Sequence, residues 1–201
     1  MFQRILVALV FALMASTAYT QTRVGTSLID GEIVDLYSDQ SWKYRNGTND
    51  GCEQITMALE FCDSEQSWER TKNQDTEIAA QFRYDDRHYG QFVVEGLGAS
   101  DGMTSDFMRN IVISNFASFA GISDSDVIIY DVKQDTVQGR TYDTVIYGGS
   151  VSGLDAVYIN TLVVSPKTTI QATTFAVSSS VSEKHKAIHE SFLAGIKINL
   201  P

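Results

Sequence analysis

Two hydrophobic periods take turns along this chain. Between residues 55 and 61, Ile55, Met57, Leu59 and Phe61 alternate with Thr56, Ala58 and Glu60, the pattern of a half-buried strand. The wider stretch 28–62 reads as short strands and loops. LIDGEIVDLY and SWKYR are its apolar pieces, and NGTNDG is a loop cluster. A polar run, DSEQSWERTKNQDT, follows with Trp68 as its anchor. EIAAQFRY and YGQFVVEGL then flank DDRH, whose turn chemistry predicts a hairpin.

Over residues 105–120 the period changes to that of a helix. Met108, Ile111, Val112, Phe116 and Phe119 share one face, with Ile113 and Ala117 on another side. Thr104 or Ser105 can cap the helix, Asp106 suits its positive first turn, and Gly121 suits its exit. Period two then returns in DVIIYDVKQDTV, RTYDTVIYG, LDAVYINTLVVS and TTIQATTFAVSS. SPKT predicts a tight link between the last two and VSGL a looser one, and short connections imply antiparallel neighbours. A second helix closes the chain over 182–197, with Ser182 as cap and Ile188, Phe192, Leu193 and Ile196 on its apolar side. Strands in runs with segregated helices predict an α+β fold, a layered antiparallel β-sheet flanked by two main helices. No linker, repeat or composition break interrupts residues 21–201, which read as a single α+β domain.

The order of elements over 90–198 resembles the PsbP/DcrB-like fold group of small exported and lumenal proteins. The likeness is carried by YGQFVVEG, the helix after it, the VIIYDV to FAVSS meander and the closing HKAIHESFLAGI. It is a match of topology without a shared motif, so no residue role carries over from it, and the N-terminal third lies outside it. The resemblance implies accessory, binding or assembly roles more often than catalysis, and a fold does not fix a function.

The N-terminus adds an address. MFQR is a basic n-region, ILVALVFALMA is long enough for a signal h-region yet short for a membrane span, and small residues follow. Residues 1–20 therefore read as a signal peptide, with cleavage after Ala18 or Thr20 both fitting the small-residue rule. The mature chain is expected to be periplasmic or secreted, with no membrane span. The chain carries a formal net charge of −10. That balance argues against nucleic acid and against anionic lipid surfaces, both of which need a basic footprint. The expected partner is a protein or a small ligand. Asn46–Thr48 is a glycosylation sequon only in a eukaryotic secretory route.

Candidate chemistry is sparse. His185 and His189 are spaced i, i+4 on the last helix, a spacing that can chelate a metal, but Lys186 stands where a zinc peptidase needs glutamate. A third ligand would have to come from His88 or a distant carboxylate. The competing reading has both imidazoles bordering the core and bonded to strands or water, and it is the favoured one. His88, Asp85 and Asp86 read as a solvated hairpin tip. GGSVSG puts Val151 where a nucleophile elbow needs serine, and GLGASDG lacks the lysine ending of a phosphate loop. NGTNDG has Met57 where a calcium loop needs glutamate. No cofactor is expected. On the strand 169–177, Ile170, Ala172, Thr174 and Ala176 form a small face that lets a helix approach closely, while Gln171 on the other face needs a partner and marks a ligand-cleft candidate. The leading expectation is an exported binding or accessory module. The alternative is a hydrolase-type or metal-dependent enzyme using His185 and His189.

Cys52 and Cys62, the only cysteines, pose a conflict. An oxidising compartment favours a disulfide, and their spacing suits no zinc knuckle. Yet ten steps of straight strand span about 33 Å and ten of helix about 15 Å, whereas a disulfide needs Cα atoms within roughly 7 Å. The bond and an unbroken strand over 55–61 exclude each other unless the chain folds back sharply. Compartment puts the bond ahead.

Overall fold

A computed structural model describes residues 22–29, 32–44, 52–72 and 75–199. The signal-type leader at 1–20 and the sequon at 46–48 lie outside the described residues. Contacts divide the chain into two compact units, Met1–Arg45 and Asn46–Pro201.

The first unit is a three-stranded meander. β1 (Arg23–Ile29) pairs antiparallel with β2 (Glu32–Tyr37), and β2 with β3 (Trp42–Tyr44). The turn between β2 and β3 is held by Asp39, whose Oδ1 accepts from the Ser41 amide (3.0 Å) and hydroxyl (2.5 Å). Trp42 stands half exposed on β3.

The second unit is α+β. It runs β4 (Cys52–Thr56), β5 (Leu59–Cys62), β6 (Glu69–Thr71), β7 (Ile78–Arg83), β8 (His88–Glu95), α1 (Ser105–Ala120), β9 (Ile128–Val137), β10 (Arg140–Val151), β11 (Leu154–Val164), β12 (Thr169–Val177), α2 (Glu183–Ala194) and β13 (Ile196–Ile198). A seven-stranded antiparallel sheet has the order β6-β7-β8-β12-β11-β10-β9, and a smaller one the order β13-β5-β4. The predicted meander is β9 to β12. Two of its links are tight two-residue turns with both central residues at positive φ, Gln138–Gly139 and Ser152–Gly153. The second is tighter than the expected loose link.

The two helices cover opposite faces of the large sheet. Side chains alternate along each strand, so neighbouring residues feed different cores. Val145, Tyr147 and Leu162 meet Met108, Val112, Ile113, Phe116 and Ala117 of α1. Val163, Ile170 and Ala172 join Ile188, Phe192 and Leu193 of α2, with Leu59, Phe61 and Ile196 of the small sheet in the same cluster. α1 has its predicted ends: the Thr104 hydroxyl accepts from the Phe107 amide at 3.1 Å, and Gly121 leaves with φ 69°. Its buried stripe is rotated from the expected one. Ile113 and Ala117 face in, while Phe119 is 71% exposed. α2 keeps its Ser182 cap but ends three residues before 197, because Ile196–Ile198 leave the helix to pair with β5. The glycine between them allows this: a Cβ on Gly195 would lie 2.7 Å from the Phe61 ring and 2.8 Å from the Cys62 carbonyl.

The predicted strand over 55–61 is two strands. The chain reverses at Met57–Ala58, so β4 and β5 form a hairpin, and Met57 points to solvent at the turn. Gln54 holds the reversal, its amide donating to the carbonyls of Thr56 (2.5 Å) and Leu59 (3.2 Å). Among the described residues no helix is long and apolar enough to cross a membrane.

Candidate functional site

The small face of β12 lies under α2, and that close approach brings all three histidines together. His185 and His189 are each 1% exposed. The expected solvated tip is also overturned for His88, which begins β8 and is 8% exposed. The reason is the neighbouring helix, which a reading of the local chain does not see.

A single polar chain threads this face. His185 Nε2 lies 3.2 Å from the Thr174 hydroxyl, which lies 3.0 Å from His189 Nδ1. His189 Nε2 lies 2.9 Å from the Thr161 hydroxyl, itself 2.7 Å from that of Thr144. Each hydroxyl can donate once and accept as well, so the bonds can all point one way. If His185 Nε2 donates, Thr174 donates to His189, His189 donates to Thr161, and Thr161 to Thr144. The other direction leaves a proton on His185 Nδ1, a buried atom without a hydrogen-bond partner among the described residues. The first direction leaves only a lone pair there, and a buried orphan N–H is the rarer fault.

Burial pushes His185 down to about 4, helped by His88 and partly offset by a bond at Thr174. Burial likewise pushes His189 down to about 3; Asp135 works against the shift, and His185 and Lys133 add to it. Both imidazoles are therefore neutral at neutral pH. At the solvent end, His88 Nδ1 donates to Asp85 Oδ1 at 2.7 Å, and Lys184 Nζ reaches Asp85 Oδ2 at 2.8 Å. Burial of Asp85 raises its pKa, but Lys184, the Arg87 amide and His88 outweigh it and hold the carboxyl well below the usual range. The rings of His88 and His185 meet edge to face at 5.7 Å.

Gln171 is elsewhere. It lies on the α1 face of β12, half buried, with its Oε1 accepting from Asn160 Nδ2 at 3.2 Å. The sheet separates it from the histidines. Sequence reasoning missed the roles of Thr161 and Thr174, which bond the histidine rings, and of Thr144, which bonds Thr161. A threonine at a buried strand position with no local partner is the signal that marks them.

That α1 face carries a row of register partners across the whole large sheet: Glu69, Arg83, Tyr89, Phe175, Tyr158, Tyr147 and Ile129. The four aromatic rings stack in sequence at 5.1 to 5.3 Å. Phe116 of α1 meets Tyr147 and Tyr158 edge-on.

The cysteines lie on the small sheet. Cys52 and Cys62 are direct register partners with Cα atoms 3.8 Å apart and sulfurs at disulfide distance, which removes the conflict between alternation and pairing. Lys197 Nζ sits 3.3 Å from Cys52 Sγ. Among the described residues, Cys52, Glu60 and Cys62 are the only three metal-type donors grouped within 4.8 Å. Among the described residues the histidines gather no such third ligand.

The outer rim of the large sheet is β9. Among the described residues it pairs only with β10, and Ile128, Ile129 and Val132 are about half exposed.

No family model matches the chain, and no curated protein matches it either. Among solved structures, it is similar to cyanobacterial PsbP (CyanoP) from Synechocystis sp. PCC 6803, with TM-score 0.49 and 11% identity over 77% of this chain and 90% of that one. The likeness is one of fold alone. The chain is also similar to a protein from Bacteroides thetaiotaomicron VPI-5482, with TM-score 0.46 and 10% identity over 75% of this chain. It spans about half of that protein, 49%. The resemblance expected from residues 90–198 is to the group that includes the first of these.

Proposed function

We propose that the mature chain is an exported, non-enzymatic binding module that takes an extended segment of a protein partner along the outer rim of β9. The observation that carries this reading is the rim itself. It is a ten-residue strand hydrogen-bonded on one side among the described residues, with Ile128 and Ile129 each 52% exposed and Val132 48% exposed. An open strand edge supplies main-chain donors and acceptors to an added strand, and side chains on either face supply selectivity. A bulge opposite Ile146 and Tyr147, together with Asp131 and Lys133, guards the same edge against indiscriminate pairing. Export is supported by the basic and apolar N-terminus, and the facing cysteines suit an oxidising compartment. The histidines favour a non-catalytic role. A general acid or base must come within reach of the proton it moves, and His185 and His189 are sealed between α2 and the sheet.

The test is a photo-crosslinking amino acid at position 132 in the cells that express the protein, with the more exposed position 154 as control. The expected result is one identified adduct from 132 that disappears when Ile129→Lys is added. Equal labelling at both positions, or none, overturns the rim reading. Stoichiometric metal in the purified protein, lost in a folded His185→Gln/His189→Gln variant, overturns the non-enzymatic reading in favour of a metal-dependent hydrolase.

A further inference from the structure

We propose that the Cys52–Cys62 pair is a thiol–disulfide exchange site in which Cys62 takes the attack and Cys52 leaves as a thiolate held by Lys197. The hairpin register sets this up. Cys52, Cys62, Gln54, Glu60 and Lys197 share the outer face of the small sheet, because Leu59, Phe61 and Ile196 fill the inner one. On that face the two sulfurs differ. Cys52 is 6% exposed, and Cys62 is only half buried, so an incoming thiolate reaches Cys62 first. Cys52 has the ammonium of Lys197 at 3.3 Å, and Lys197 is itself exposed on β13. An adjacent cation stabilises a thiolate, and a sulfur with a lower thiol pKa departs faster.

The step balances with a dithiol as co-reactant. One thiolate of the dithiol attacks Cys62 Sγ, the Cys52–Cys62 bond breaks, and its electron pair goes to Cys52, which leaves paired with Lys197. The second thiol of the reductant then attacks its own sulfur in the mixed disulfide. That releases Cys62 and carries the reductant off as a cyclic disulfide. Two electrons pass from the dithiol to the protein. Run backwards, the same steps oxidise a dithiol. The Glu60 carboxylate, within 4.8 Å of both sulfurs, opposes any negative charge that develops there. Lys197 and Glu60 are direct register partners, so the site carries one accelerating and one retarding charge on neighbouring strands.

The experiment reduces the oxidised protein with dithiothreitol at neutral pH and follows the rate by alkylation and mass. Lys197→Gln is expected to slow reduction roughly threefold or more. Lys197→Arg restores the rate, and Glu60→Gln quickens it. Both residues lie on the outer face of the small sheet, so the fold survives each change. With a monothiol reductant, acid quench and peptide mapping are expected to find the mixed disulfide on Cys62 rather than on Cys52. Equal rates for wild type, Lys197→Gln and Glu60→Gln overturn the charge mechanism, and a mixed disulfide found on Cys52 overturns the order of attack. The proposal rests on the bonded pair. Two alkylatable thiols in protein that has never met reductant overturn that bond, a result distinct from a bonded pair whose rate ignores both charges.

Discussion

His189 is the residue whose burial has the most direct measurable consequence. Its two ring nitrogens face Thr174 and Thr161, so a second ring proton turns both hydroxyls into acceptors and places a charge in the core. An unfolded histidine takes its proton near pH 6.5, while His185 and His189 resist until about 4 and about 3. Between those values the unfolded chain binds more protons than the folded one. Stability is thus whole above about pH 6.5 and falls as pH drops towards 4, by about 1.4 kcal/mol per pH unit for each histidine. Asp85 adds a loss only at lower pH, where unfolded carboxylates protonate. Urea midpoints at pH 7.5, 6.5, 5.5 and 4.5 should show the fall, and His189→Gln, which keeps a donor and an acceptor but does not titrate, should flatten it. Thr161→Val leaves His189 Nε2 without its partner and is expected to cost about 1–3 kcal/mol, read by the same denaturation at neutral pH. Gly90→Ala belongs to the same core. A Cβ there would come within 2.7 Å of the Phe192 ring and 2.9 Å of Trp68, so the substitution should destabilise by about 1–3 kcal/mol.

Among the elements, the β4–β5 hairpin depends most on its cross-link. It has five residues in one strand and four in the other, and its inner side chains Leu59 and Phe61 are fully committed to the core. Replacing both cysteines by alanine is expected to cost about 2–3 kcal/mol, measured on oxidised wild type and variant side by side. Much at this scale was legible in the sequence. α1 was readable because its caps and its period agree, and the meander because its links are short. The rest was hidden by long-range pairing. Ile55, Met57, Leu59 and Phe61 continue one alternation through a reversal that no glycine or proline marks. Ile196 fits the helical face of α2 and also the strand that β5 requires, and only β5 decides between them. The histidines were readable as bordering the core, but the threonines that bond their rings come from β11 and β12, which local spacing does not reach.

For the whole molecule, the large sheet has two unlike rims. β6 is three residues long and carries Glu69 and Arg70, each in an ion pair, whereas β9 is ten residues long and apolar at its start. Ile129→Lys is therefore expected to leave the thermal midpoint within about 2 °C while removing the partner adduct from position 132, which separates recognition from folding. Trp42 and Trp68 are the only tryptophans, and they stand in different compact units. Trp42 is half exposed on the first meander, while Trp68 is enclosed by Phe61, Tyr84 and Phe192. The chain thus carries its own two-channel fluorometer. With one tryptophan changed to phenylalanine at a time, red-edge emission reports on the β1–β3 meander and blue emission on the second unit. Each unit's unfolding can then be followed without attaching a dye.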